Sequence, residues 1–218
     1  QAAKAVVEKS RRQLANALNS TPEEIIFTSS GSESNNMVLK GVLNPGDHFI
    51  TSSYEHPAIL KVLPFLESKD ISTTIVNPDK NGLIHPSDIE ENINANTRLI
   101  SIMWVNNELG TINPISEIGS IARNRNILFH SDAVQALGKI YINVDETPVD
   151  FLSMSAHKLY GPKGIGALYK CRGSKVEPLI HGGGQESNLR ASTENIGGIA
   201  GFGMAAELST SKLKENTD

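Results

Sequence analysis

The sequence predicts an α/β fold: a mostly parallel sheet covered by helices on both faces. Short apolar, β-branched runs alternate with helical patterns along most of the 218 residues, and no internal repeat or low-complexity linker interrupts them. Several runs are almost unbroken in apolar character, as strands buried on both faces of a parallel sheet must be. Polar, glycine and other small residues gather just after these runs, at strand carboxyl ends, where ligands bind in such sheets.

Apolar residues at helical spacing predict a first helix over 3–18. Ile25-Ile26-Phe27-Thr28, β-branched and aromatic, reads as the first strand, and a helix over 33–43 follows a run of serines and Gly31. The pattern continues with a strand over 48–52, a helix over 57–68 opened by Pro57, a strand over 72–76 and a helix over 87–94. Leu99-Ile100-Ser101-Ile102-Met103-Trp104-Val105 predicts a long buried strand, followed by a helix over 116–124. Three further strands are expected over 127–130, 151–154 and 165–169.

Composition describes a folded domain: 39% of residues are apolar and the formal charge is -4. A chain of this length buries roughly 70% of its unfolded surface, so a full core is available. The apolar runs are far too short to span a bilayer and the N-terminus lacks a charged-then-apolar leader, so the expectation is a cytoplasmic protein with no membrane partner. Cys171 is the one cysteine and cannot form an internal disulfide, which suits a reducing compartment. Mild acidity without a basic stripe argues against nucleic acid.

The most informative residue is Lys158, in Ser155-Ala156-His157-Lys158, followed by Leu159-Tyr160-Gly161-Pro162-Lys163-Gly164. The apolar stretch before it delivers the lysine to the end of a buried strand, where the chain must turn. A buried amine presented to a pocket there can form a Schiff base with an aldehyde cofactor, with Ser155 and His157 donating to a phosphate: pyridoxal-phosphate chemistry. Alone, the same lysine also reads as a solvated surface charge.

Three distant segments could supply the remaining parts. Thr28-Ser29-Ser30-Gly31-Ser32-Glu33 opens a helix whose first N–H groups lack partners, which fits either a phosphate or a plain serine N-cap. His56 stands just before a helix start, placed to stack on a flat ring or simply to cap. Asp132 follows a buried strand, where a carboxylate is costly unless a cation such as a pyridinium nitrogen meets it. His130 and Asp132 could be a metal pair on one strand face, but no third ligand is spaced to join them, so no metal is expected. Gly161, Gly164 and Gly166 precede a strand rather than a helix and do not form a dinucleotide fingerprint.

Together with Val105-Asn106-Asn107-Glu108-Leu109-Gly110, Asp132-Ala133-Val134-Gln135 and His181-Gly182-Gly183-Gly184-Gln185-Glu186, these runs resemble the cysteine desulfurases. Those are class V members of the aminotransferase-like, fold-type I pyridoxal-phosphate enzymes, and the resemblance covers the large domain. It implies pyridoxal 5'-phosphate as cofactor, with Lys158 in Schiff-base linkage and moving protons. His56 would stack on the ring, Asp132 would pair with its nitrogen, and Gln135 and Asn107 would reach the phenolic oxygen. Gly31, Ser32, Ser155 and His157 would hold the phosphate, and Thr193 would reach the neighbour's phosphate site in a homodimer. This chain carries Ser192 where the family usually has glycine before that threonine, and Ser30-Gly31-Ser32 for the commoner Gly-Ala-Thr.

The reaction implied converts L-cysteine to L-alanine and an enzyme persulfide, supplying iron–sulfur cluster assembly or other sulfur-acceptor proteins. A selenocysteine lyase, another class V transferase, or a non-catalytic piece that binds cofactor and dimerises are the alternatives. The resemblance also implies a large domain over 1–218, truncated at both ends, without the family's nucleophilic loop cysteine and with no turnover of its own. Cys171, after the last expected strand, reads as structural.

Overall fold

The computed structural model describes residues 1–215. Seven strands, β1 (Ile25–Thr28), β2 (His48–Ser52), β3 (Ser72–Val76), β4 (Thr97–Ser101), β5 (Leu128–Asp132), β6 (Phe151–Ser155) and β7 (Gly166–Lys170), form one sheet in the order β1-β7-β6-β5-β4-β2-β3. The block from β3 to β6 is parallel, while β7 runs antiparallel between β6 and β1. The expected mostly parallel sheet is therefore present.

Alternation along the strands splits the core in two. Ile25 and Phe27 of β1 join Ile100, Phe129 and Leu152 on one face, against α1 (Ala2–Leu18), α5 (Pro86–Glu91), α6 (Ile115–Asn124) and α7 (Ile196–Glu215). Ile26 joins Phe49, Leu99 and Phe151 on the other, against α2 (Gly31–Val42), α3 (Pro57–Leu60) and α4 (Leu63–Glu67). β1, β2 and β6 are buried on both faces, their polar residues included.

The structure departs from the sequence reading in four places. The helix expected over 57–68 is two short helices, because Pro64 has no N–H to carry one hydrogen-bond ladder through. The strand expected over 99–105 is β4, starting at Thr97 beside His48 and ending at Ser101. Beyond it the chain still bonds to β5, Ile102 N–H to His130 O and Trp104 N–H to Asp132 O. β5 itself extends to Asp132. The long helix α7 was not anticipated at all. No helix among the described residues is long and apolar enough to cross a membrane.

Glycines fix two close approaches near the strand ends. A Cβ on Gly166 would lie 2.5 Å from the Ser30 carbonyl carbon and 2.7 Å from the Met154 oxygen, so only glycine lets β7 pass the turn after β1. A Cβ on Gly203 would lie 2.7 Å from the Ser10 Cα, which is how closely α7 packs on α1.

Candidate active site

The carboxyl ends of β1, β2, β5 and β6 and the chain leaving β4 converge on one cavity of about 190 Å³. Ser30, Gly31 and Ser32 enter it after β1, His56 after β2, Met103 and Asn107 after β4, Asp132, Val134 and Gln135 from β5 onward, and Ser155, His157 and Lys158 from β6. Nine of the ten residues expected at a site are thus brought together: Gly31, Ser32, His56, Asn107, Asp132, Gln135, Ser155, His157 and Lys158.

Lys158 lies on a 3-10 turn (Ala156–Leu159) that follows β6 directly and ends at Tyr160 in the left-handed region, φ 61°. The tight turn throws the lysine off the strand end and into the cavity. The expectation of a buried lysine is corrected: the residue is exposed, because this cavity opens to solvent. Beside it, His157 Nδ1 and Ser155 Oγ are 2.9 Å apart. Partial burial, then Lys158 and Lys163, hold the His157 pKa below its ordinary value, so this imidazole is neutral at pH 7.

Asp132 is buried beneath the cavity. Its Oδ2 accepts from Asn35 Nδ2 at 2.8 Å and its Oδ1 from the Val134 N–H at 3.0 Å. Burial raises its pKa against these two bonds and the pull of His56. Among the described residues it makes no ion pair. A buried carboxylate that faces a cavity and makes no ion pair is what the ring nitrogen of a protonated pyridine would satisfy. Asn35 Oδ1, also buried, has no hydrogen-bond partner.

The other donors are arranged for an anion and a flat ring. Ser30 Oγ accepts the Glu33 N–H at 3.1 Å as the N-cap of α2, leaving the N–H groups of Gly31 and Ser32 at an N-terminus that favours negative charge. A Cβ on residue 31 would come 2.6 Å from Val134 Cγ2, so glycine also keeps the cradle open against the chain after β5. His56 Nδ1 accepts the Ala58 N–H at 3.1 Å. Its neutral ring therefore carries the proton on Nε2. Gln135 Oε1 takes a close hydrogen bond from Lys139 Nζ, which leaves its amide NH2 as the group free to donate. These residues fit a phosphorylated pyridine aldehyde.

The metal alternative fails. His130 is fully buried with Nδ1 2.7 Å from Ser101 Oγ and Nε2 2.9 Å from Ser153 Oγ, and burial pushes its pKa down to about 3. Both ring nitrogens are engaged, and no metal-ligand cluster occurs among the described residues.

Thr193 does not line the cavity. It lies in a separate recess with Thr28, Ser29 and Arg190. Ser192 before it holds φ 105°, a conformation that favours glycine, so the backbone keeps a glycine geometry on a serine. Cys171, half-buried after β7, lines no part of the cavity.

Three residues that matter were not singled out from sequence. Asn35 holds Asp132. Asn106 accepts the Glu108 and Leu109 N–H groups at 2.9 and 2.8 Å and so shapes the turn carrying Asn107. Glu55 is fully buried next to His56, with Oε1 accepting Ser52 Oγ at 2.5 Å and the Met103 N–H at 2.9 Å, and Oε2 unpartnered. Burial, with a smaller push from Asp132, raises its pKa to about 8 against those two bonds. The readable signals were a polar residue on the buried face of a helix for Asn35, and for Glu55 the same carboxylate after a buried strand that drew attention to Asp132.

Known proteins are similar to this chain over nearly its whole length. The "Cysteine desulfurase IscS" of Dictyoglomus turgidum is 49% identical over 216 residues, 97% of this chain and 55% of the relative. The "Cysteine desulfurase, mitochondrial" of Saccharomyces cerevisiae is 49% identical over 208 residues, 93% of this chain and 42% of the relative. Among solved structures, "SspA in complex with cysteine" superposes with TM-score 0.91 at 47% identity, covering 94% of this chain and 61% of that one. A "NIFS-LIKE PROTEIN" does so with TM-score 0.94 at 40% identity, covering 98% and 60%. The chain spans about half the length of the curated relatives it matches. The model of the aminotransferase class-V family matches residues 1–217, along the same strands and turns that build the cavity, and the chain belongs to that family.

Proposed function

We propose that the cavity binds pyridoxal 5'-phosphate through Lys158 and that the protein releases sulfur from L-cysteine. The observation that carries the reading is the meeting, in one cavity, of Lys158, a buried Asp132 with no ion pair and the glycine-opened N-terminus of α2. Likeness to proteins called cysteine desulfurases, and to a structure holding cysteine, supports the substrate.

Bound there, the cofactor supplies an electron sink for the substrate's α-carbon. Asp132, kept in place by Asn35 and the Val134 N–H, holds the ring nitrogen protonated. His56 covers one ring face and presents its Nε2 proton, while the amides of Gln135 and Asn107 donate toward the phenolic oxygen. Gly31, Ser32, Ser155 and His157 bind the phosphate, and Thr193 does so in the neighbouring subunit of a homodimer. Lys158 Nζ carries the covalent link and moves protons during turnover.

Sulfur leaves when a cysteine thiolate, supplied from outside these 218 residues, attacks the substrate sulfur. An S–S bond forms, the C–S bond breaks with its electron pair going to carbon, and protonation gives alanine. Cys171 is not that thiolate, since it stands outside the cavity. The persulfide then serves sulfur-acceptor proteins, iron–sulfur cluster assembly among the uses, in the reducing cytoplasm.

Borohydride reduction of the protein with added cofactor, followed by peptide mass mapping, tests the assignment. The mass of the reduced cofactor is expected on Lys158. A label on Lys139 or Lys163 instead would overturn it.

A further inference from the structure

Arg190 and Glu33 line no part of the cavity, yet their ion pair joins two segments that bear on it. Arg190 Nε donates to Glu33 Oε1 at 2.9 Å, and a second guanidinium nitrogen donates to Oε2 at 3.4 Å. Glu33 is the third residue of α2. Its own N–H is taken by Ser30 Oγ, and its Oε2 accepts the Ser29 N–H at 2.8 Å and a close bond from Ser29 Oγ. The Glu33 carboxylate thus fixes Ser29, and the Glu33 backbone N–H is held by Ser30, at the first turn of α2, where Gly31 and Ser32 enter the cavity. Burial acts to raise the Glu33 pKa, but the bonds from Arg190 and Ser29 outweigh it, so the group stays ionised.

The other end of the tie is equally restrained. Arg190 closes a segment that begins with Glu186, Ser187 and Asn188, all in the left-handed region at φ 45°, 56° and 66°. Consecutive non-glycine residues persist there only when their surroundings over-determine them. Glu186 is clamped by the two terminal guanidinium nitrogens of Arg11, at 2.7 and 2.8 Å, and by the Phe27 N–H at 2.8 Å, while Arg11 stacks over the Phe27 ring. From this anchored start the segment runs to Arg190 and its bonds to Glu33.

We propose that Arg190 is a positioning residue: through Glu33 and Ser29 it holds the N-terminal turn of α2 in the geometry that receives the phosphate group of the ligand. The proposal rests on the cavity being a pyridoxal-phosphate site. It assigns Arg190 no contact with the phosphate; its charge acts by ordering backbone donors. Phosphate affinity should therefore respond to Arg190 and Glu33 as a unit, and the affinity of the same ring without phosphate should not.

The test compares equilibrium binding of pyridoxal 5'-phosphate and of pyridoxal to the wild type, Arg190→Ala, Arg190→Lys, Glu33→Gln and the Arg190→Ala/Glu33→Gln double variant, with thermal unfolding of each. Losing a charge-assisted tie should weaken pyridoxal 5'-phosphate about tenfold in either single alanine or glutamine variant, with no further loss in the double variant. Arg190→Lys, which lacks the two-nitrogen fork, should fall between. Pyridoxal should bind all of them about equally. Unchanged pyridoxal 5'-phosphate affinity, equal losses for both ligands, or additive losses in the double variant would overturn the positioning role. A wild type that binds neither ligand would instead overturn the reading of the cavity, and this inference with it.

Discussion

Asp132 and Glu55 are the same residue problem solved twice. Asp132 ends the buried strand β5 and Glu55 follows the buried strand β2, and each is held by one side chain and one backbone N–H. Asp132 faces the cavity, where a ligand can supply positive charge. Glu55 does not line it, so its relief is to stay protonated, with a pKa near 8. A carboxyl raised from 4.5 in the unfolded chain to about 8 in the folded one binds its proton more tightly when folded. Its stabilising effect is complete below pH 4.5 and is lost as pH rises toward 8, at a slope of at most ~1.4 kcal/mol per pH unit. Glu55→Gln keeps the oxygen that Ser52 and Met103 bond and removes the titration. Denaturant unfolding measured at several pH values should show the decline between pH 4.5 and 8 flattened in the variant. The type of Asp132 and Lys158 and their place after strands were legible in the sequence. The partners that fix them, Asn35 above all, were not, because a helix-borne asparagine declares nothing until the helix face it occupies is known.

Among the elements, strand identity was legible because strands are short β-branched and apolar runs set off by turn residues, and all seven were expected within a few residues of where they lie. The helix α7 was hidden by its own composition. Ile196-Gly197-Gly198-Ile199-Ala200-Gly201-Phe202-Gly203 carries residues that weaken a helix in isolation. Packing reverses that reading: a Cβ on Gly201 would meet Pro162 Cγ at 2.4 Å and one on Gly203 would meet Ser10, so the glycines are the condition for α7 to lie against its neighbours. The turn before Thr193 shows the opposite case, a residue that its backbone does not suit. With Ser192 at φ 105°, Ser192→Gly should relieve strain and raise stability by ~1 kcal/mol, read as a higher midpoint in thermal unfolding. Ser192→Ala retains the Cβ and should give no such gain.

At the scale of the molecule, Thr193 outside its own chain's cavity bears on association. If it completes a neighbour's phosphate site, cofactor affinity and dimerisation are linked, each strengthening the other. Sedimentation at micromolar concentration should show a dimer whose dissociation on dilution is suppressed by added pyridoxal 5'-phosphate. A cofactor-loaded monomer would contradict the shared site.

The placement of β7 has a different consequence, in time rather than in space. Among the described residues β1 pairs with β7 alone, with Ile25 opposite Tyr169, and α1 packs on α7. A chain emerging from the ribosome therefore carries α1 and β1 until β7 and α7 have been made. Contacts this distant in sequence make folding slow, and they leave an apolar strand unpaired meanwhile. Nascent chains ending before residue 166 are expected to hold this N-terminal segment open to chaperones or to other chains.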